Sequence, residues 1–198
     1  MTDRPYHHGR LRGTLLAAAE RTLREQGIEA LSLRDLARQA GVSHAAPRRH
    51  FADRQALLDA LAETGFARLG DEVGAAIDDA GQDYPARLRA AATAYVRFAV
   101  HDAALMELMF AAKNAGSPAG QPAGLPEASA RLFTAVGDLI GQGQQAGILP
   151  PGDPERLRLL LIATVQGIAA LITSGRVQAG QIDALVTDAV ALFTRGHR

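Results

Sequence analysis

The chain reads as an all-α protein of about nine helices, and three observations predict that class. Ala and Gly are abundant, aromatic residues make up 5% and β-branched runs are scarce, a composition that favours helix. Apolar residues recur at helical spacing in segment after segment, and no stretch alternates convincingly as a strand would. Gly, Pro, Asp and Ser stand where those periodic segments end and begin. The 198 residues suffice for one to two small domains with a buried core. An apolar content of 47% and a charged content of 21% are those of an ordinary globular protein.

The first helix runs from Arg12 to Gln26, with Leu15, Leu16, Ala19 and Leu23 on one face and Gly27 ending it. Ile28 and Leu31 fill the corner. Ser32 caps the second helix, and Asp35 stands at the capping-box position. Leu33, Leu36, Ala37 and Ala40 face inward; Gly41 supplies the backbone freedom for a tight turn, and Val42 plugs the space behind it. Ser43 caps a third helix, His44 to Phe51, in which Pro47 disturbs hydrogen bonding only locally. Asp53 caps the fourth, which carries Leu57, Leu58, Leu61, Phe66, Leu69, Val73 and Ile77.

Gly81 to Pro85 interrupts the pattern. A helix from Pro85 to about His101 carries Leu88, Tyr95 and Phe98, and Asp102 is placed to cap the next, with Leu105, Met106, Leu108, Met109 and Phe110. Residues 114 to 126 read as a Pro/Gly-rich loop. Helix resumes from about Glu127 to Gln145 and stops at Gly147 and Pro150-Pro151. Asp153 caps a long helix to about Ser174, and the last runs from Gln181 to about Arg195.

Formal net charge is zero, but it is unevenly divided. Residues 1-54 hold ten Arg against six acids, net +4, so the remainder is −4. Four of the six His also lie in the first part. A basic head on an acidic body suits nucleic acid. The chain has no Cys, which excludes disulfides and thiolate chemistry. Residues 1 to 20 lack the apolar core of a signal peptide, and the longest apolar run, Leu159 to Ile172, is too short to span a bilayer. A soluble cytoplasmic protein is expected.

Residues 32 to 54 carry the most information. Two short helices joined by Ala40-Gly41-Val42, the second rich in Arg and His, form the pattern of a helix-turn-helix that sets its second helix in the DNA major groove. The division expected is a DNA-binding domain at 1-54 and a ligand-binding and dimerisation domain at 55-198, linked by the helix from Asp53.

The string G-I-E-A-L-S-L-R-D-L-A-R-Q-A-G-V-S from Gly27 to Ser43, followed by R-H-F-A-D-R-Q-A-L-L from Arg49 to Leu58, resembles the DNA-binding domain of the TetR family of bacterial transcriptional regulators. The opening Y-H-H-G-R-L-R from Tyr6 resembles one subgroup. The resemblance implies a homodimer, one helix-turn-helix per chain on a near-palindromic operator, and a C-terminal domain whose small-molecule ligand changes the spacing of the heads. Many members repress their own or a neighbouring gene. Arg48 departs from the family, which usually has an aromatic residue there, so base preference does not transfer. The subgroup often has His-Gly where this chain reads Gln166-Gly167.

Arg49 is the candidate base reader, since a guanidinium can donate twice to guanine. His44, Ala45 and Ala46 begin the reading helix, and small side chains allow close approach to a thymine methyl. Arg34 matches a family position that reaches bases or phosphate. Ser43, Arg48, His50 and Arg54 are placed for phosphate, which gives affinity rather than sequence choice. Arg4, His7, His8, Arg10 and Arg12 suit either a groove-touching arm or a frayed terminus. No third ligand stands near His7-His8, so no metal is expected, and no cofactor.

The mid-chain set Tyr95, Phe98, Met106, Met109, Phe110 and Phe133 fits a ligand pocket or plain core, with Gln166, Thr93, Arg97 and Glu107 as polar contacts. The helix from Asp153 is apolar nearly all round, so more than one side is covered. Leu160, Ala163, Gly167 and Ala170 on it, with Leu185, Ala189 and Phe193 on the last helix, are the expected dimer interface, two helices per chain. Two other classes fit less well: an all-helical enzyme, for which no phosphate loop or nucleophile motif is present, and a helix-turn-helix used for protein contacts, which an acid-free run from 36 to 52 disfavours.

Overall fold

The computed structural model describes residues 8–114 and 125–195. Eight α-helices and three short 3-10 turns form, and no strand, among the described residues. The α-helices are α1 His8–Gln26, α2 Leu33–Gln39, α3 Arg54–Asp79, α4 Tyr84–His101, α5 Ala103–Asn114, α6 Leu125–Gln145, α7 Pro154–Thr173 and α8 Ile182–Arg195. The expected helix that is missing is His44–Phe51, which is replaced by a turn and a 3-10 turn at Pro47–Arg49. Arg4 and His7 of the basic arm, and most of the 114 to 126 loop, lie outside the described residues.

The chain divides into two compact units, 1–65 with 104–125, and 66–103 with 126–198. In the first, Leu15, Ala19 and Leu23 of α1, Leu31, Leu36 and Ala37 of α2 and its corner, and Phe51, Leu57 and Leu61 are buried together as the core. Gly65 of α3 faces Met109 and Leu105 of α5; a Cβ there would lie 2.6 Å from the Met109 Sδ and 3.2 Å from the Leu105 Cγ. Hydrogen there is what lets α5 sit against α3.

In the second unit α4 is central and packs closely on α7 and α8. It buries Tyr84, Leu88, Ala91, Tyr95, Val96, Phe98 and Ala99. The Asp83 carboxylate accepts from the Ala86 N–H at 3.0 Å and caps α4, and Asp153 caps α7 by accepting from Glu155 N–H at 3.0 Å. The Tyr84 ring fits against Gly143 of α6, where a Cβ would collide with it. The Arg68 guanidinium lies 4.8 Å from the centre of the Phe98 ring and pairs at 2.6 Å with Asp102, a carboxylate that is almost fully buried where α4 ends.

Among the described helices, α7 alone has the length and composition to cross a membrane, with a mean hydropathy of 1.5 over its most apolar stretch. Its bounds match the helix expected from Asp153 to about Ser174, and it extends beyond the Leu159 to Ile172 run that was too short to span a bilayer. Only 28% of that stretch is buried, although α7 buries Leu157, Ile168, Ala169 and Ile172. It shows an apolar strip made by Leu159, Leu160, Ala163, Gly167, Ala170 and Leu171.

Candidate nucleic-acid interface and effector cavity

Gly27, at φ 83, stops α1 and turns the chain into the corner at Ile28–Ala30. Ser32 holds the N-cap position of α2 with extended backbone, but its hydroxyl makes no capping bond. Asp35 pairs instead with Arg38 at 3.2 Å, so the expected capping box does not form. Helix α2 closes in a double turn: Gly41, at φ 66, donates to the Arg38 carbonyl and Val42 to the Ala37 carbonyl at 3.0 Å.

Beyond it the expectation of an α-helix is corrected. Pro47 has no N–H for the Ser43 carbonyl, which takes Ala46 N–H at 3.0 Å instead. Arg49 to Ala46 and His50 to Pro47 continue the same three-residue spacing, and a four-residue bond appears only at Phe51, which donates to Pro47 at 2.9 Å. Ser43 therefore caps no helix. In such a turn residues three apart eclipse. Pro47 is buried and His50 half-buried on one side, which leaves Arg48 and Arg49 exposed on the others. Phe51 locks the segment down at 2% exposure, with the Arg12 guanidinium 5.6 Å from its ring centre and the His50 ring 6.5 Å away. Asp53 then caps α3, accepting from Ala56 N–H at 2.8 Å.

Ser43, His44, Ala45, Arg48, Arg49 and Arg34 are exposed, and Ala46 is half-buried. Charge pairing separates the arginines of this unit. Arg24 pairs with Glu20 and Arg38 with Asp35, whereas Arg34, Arg48 and Arg49 form no ion pair with any described residue. Three guanidiniums on the turn and α2 thus keep their full charge towards solvent. Arg54, expected at phosphate, is also engaged within the head. Its Nε donates to the Leu31 carbonyl at 3.1 Å, its Nη2 donates to the Ile28 carbonyl, and Glu29 lies 3.8 Å from that Nη2. Its side chain ties the start of α3 to the corner before α2.

The mid-chain stripe is divided between the two units. In the second unit a cavity of about 60 Å³ is lined by residues of α3, α4, α6, α7 and α8, and Tyr95 is the one member of the stripe that lines it. Gln166 Nε2 donates to the Tyr95 hydroxyl at 3.1 Å. Burial pushes the Tyr95 phenol up to about 12, against the lowering effect of that bond. Phe98 is covered by Arg68, and Phe133 lies 5.1 Å beneath the Arg158 guanidinium. Met106, Met109 and Phe110 belong to the first unit, the two Met buried in its core. Of the polar candidates, Arg97 forms a two-pronged pair with Asp183 at 2.9 and 3.0 Å, Thr93 shares its open groove, and Glu107 is exposed. Aliphatic residues such as Leu132, Val136, Ile162 and Val165 make most of the cavity wall. They carry no compositional signal that separates them from core.

The expected interface residues also divide. Leu160, Ala163, Gly167 and Ala170 lie exposed along α7, while Leu185, Ala189 and Phe193 are half-buried, the last two lining the cavity. Leu192, 79% exposed on α8, and Leu159, 60% exposed, extend the apolar surface and were missed.

Residues 15–61 match the family described as bacterial regulatory proteins, tetR family, and residues 88–193 match the tetracyclin repressor-like C-terminal domain. The fold is similar to that of a Rhodococcus sp. RHA1 protein of unknown function, at 45% identity and TM-score 0.88 over 98% of this chain and 99% of that one. It is also similar to a putative TetR-family transcriptional regulator from Vibrio parahaemolyticus, at 26% identity and TM-score 0.71 over 92% of this chain and 97% of that one. A TetR-family regulatory protein from Rhodococcus RHA1 shares the fold at 22% identity and TM-score 0.70, over 94% of this chain and 96% of that one. No curated protein matches the chain. With a helix-turn-helix region and a C-terminal helical domain that both match, the chain belongs to the TetR family of bacterial transcriptional regulators.

Proposed function

We propose that the protein is a cytoplasmic homodimeric repressor that leaves a near-palindromic operator when a small molecule enters its C-terminal domain. The observation that carries the reading is that Arg34, Arg48 and Arg49, on α2 and a short exposed turn, form no ion pair with any described residue. Arg34, Arg48 and Arg49 present charge to phosphate and bases while neighbouring arginines are neutralised by their own acids. In this reading Arg49 reads a base edge, with His44, Ala45 and Ala46 beside it in the groove. Ser43, Arg48, His50 and Arg34 hold the backbone. Arg54 contributes through the N-terminus of α3 and the corner that its side chain holds. In this reading the head is 1-54 and the body 55-198, with α3, which starts at the boundary, as the link. The apolar strip on α7, with Leu185 and Leu192 of α8, is the surface that pairs two chains.

The test is selection of binding sites from random duplex DNA, followed by quantitative gel shifts. The expected product is an inverted repeat whose affinity falls steeply with salt. Failure to enrich any sequence would remove the reading. Sedimentation at micromolar concentration should give a dimer.

A further inference from the structure

The cavity of the second unit has a wall that is almost wholly hydrocarbon, and this restricts what it can admit. No lining residue is charged, and only Tyr95 and Thr164 carry a polar side-chain atom. The Thr164 hydroxyl donates back to the Leu160 carbonyl at 2.8 Å, so its proton is committed. The Tyr95 oxygen accepts from Gln166, and its own proton has no acceptor among the described residues. A buried donor without an acceptor favours any guest that supplies one. Burial also keeps the phenol protonated well above neutral pH, so its O–H stays available to donate while its oxygen accepts from Gln166.

We infer that the cavity takes a compact, uncharged, mostly apolar molecule whose single hydrogen-bond acceptor, a carbonyl or ether oxygen, receives the Tyr95 proton. An ionised guest would leave its hydration shell and meet no opposite charge on the wall. Size acts in the same direction. The space is about 60 Å³, whereas an engineered apolar cavity of about 150 Å³ is what admits benzene. The guest therefore lies at the small end, or presses the aliphatic wall outward as it enters. The inference rests on the reading of this unit as a ligand domain and deepens it.

The test uses three probes on the DNA-free full-length protein: cyclopentanone, methylcyclopentane and cyclopentanecarboxylate, titrated by saturation-transfer NMR. Cyclopentanone should bind saturably. Tyr95→Phe should weaken it about five- to tenfold and leave methylcyclopentane unchanged, since only the ketone loses a hydrogen bond. The carboxylate should bind at least about 100-fold more weakly than the ketone. Ala92→Leu, which adds bulk to the wall, should abolish ketone binding whether or not Tyr95→Phe folds. The inference is overturned if the ketone does not saturate, if the carboxylate binds as well, if Tyr95→Phe treats ketone and hydrocarbon alike, or if Ala92→Leu leaves ketone binding intact. Because no DNA is present, Tyr95-dependent binding in a protein that recognises no operator would leave this inference standing and remove the regulatory reading alone.

Discussion

The Nε of Arg54 donates to the backbone carbonyl of Leu31 at 3.1 Å, joining the first turn of α3 to the corner that precedes α2. Leu31 is itself buried at 2% exposure, so this bond fixes a core residue from outside. Arg54→Ala should therefore lower the stability of the head by about 1–2 kcal/mol, since two charge-assisted bonds to carbonyls are lost from a partly exposed site. Urea denaturation followed by circular dichroism checks this. The slope of DNA affinity against salt should stay as in the parent, because no phosphate contact by the side chain is removed.

Arg48 and Arg49 should separate in DNA binding. Arg49→Ala should reduce discrimination between the preferred operator and a single-base variant by about 1–3 kcal/mol. Arg48→Ala should weaken both sequences alike and reduce the salt slope by about 1. Gel shifts across a salt series, with matched and mismatched duplexes, measure both quantities. Equal loss of discrimination in the two variants would refute the division of roles.

Tyr84 and Gly143 make a complementary pair of tests. A Cβ on Gly143 would strike the Tyr84 ring and lie 2.8 Å from Leu149 Cδ1, so Gly143→Ala should cost about 1–3 kcal/mol through overpacking. The buried Tyr84 hydroxyl has no hydrogen-bond partner among the described residues. Tyr84→Phe should thus be neutral or stabilising, and it should offset part of the Gly143→Ala loss. Thermal melts of the two single variants and the double variant show the coupling.

Alkaline pH should destabilise the second unit in a defined window. Burial raises the Tyr84 and Tyr95 phenols from 10 to about 12. The folded chain therefore holds protons that the unfolded chain releases, and the stabilisation is complete below pH 10 and lost as pH rises through about 12. The double variant Tyr84→Phe, Tyr95→Phe should show a flatter stability profile across that window. Urea midpoints at several pH values test it, and tyrosinate absorbance tracks the titration itself.

Periodicity and punctuation made most of the fold legible. Gly27 and Gly41 take the positive φ that a stop and a tight turn require, and Asp53 and Asp153 cap α3 and α7 as their positions suggest. Reading failed where one residue tipped a balance between hydrogen-bond patterns. Pro47 converted the His44–Phe51 pattern into a 3-10 turn, and the side-chain caps expected at Ser32 and Ser43 did not form. The candidate site was legible where it depends on charge along a short segment. It was illegible where it depends on tertiary meeting. Tyr95, Phe98, Met109 and Phe133 look alike in sequence, yet only Tyr95 reaches the cavity, whose wall comes from aliphatic residues of five helices.

If the exposed strip on α7 pairs two chains as proposed, stability becomes a property of the solution rather than of the chain alone. Leu159, Leu160 and Leu171 stand in water on a single protomer, and the proposed pairing of two chains removes them from it. Association and folding then share one equilibrium, and the melting midpoint should climb with protein concentration. A cell that makes little of this protein would hold it less firmly folded than one that makes much.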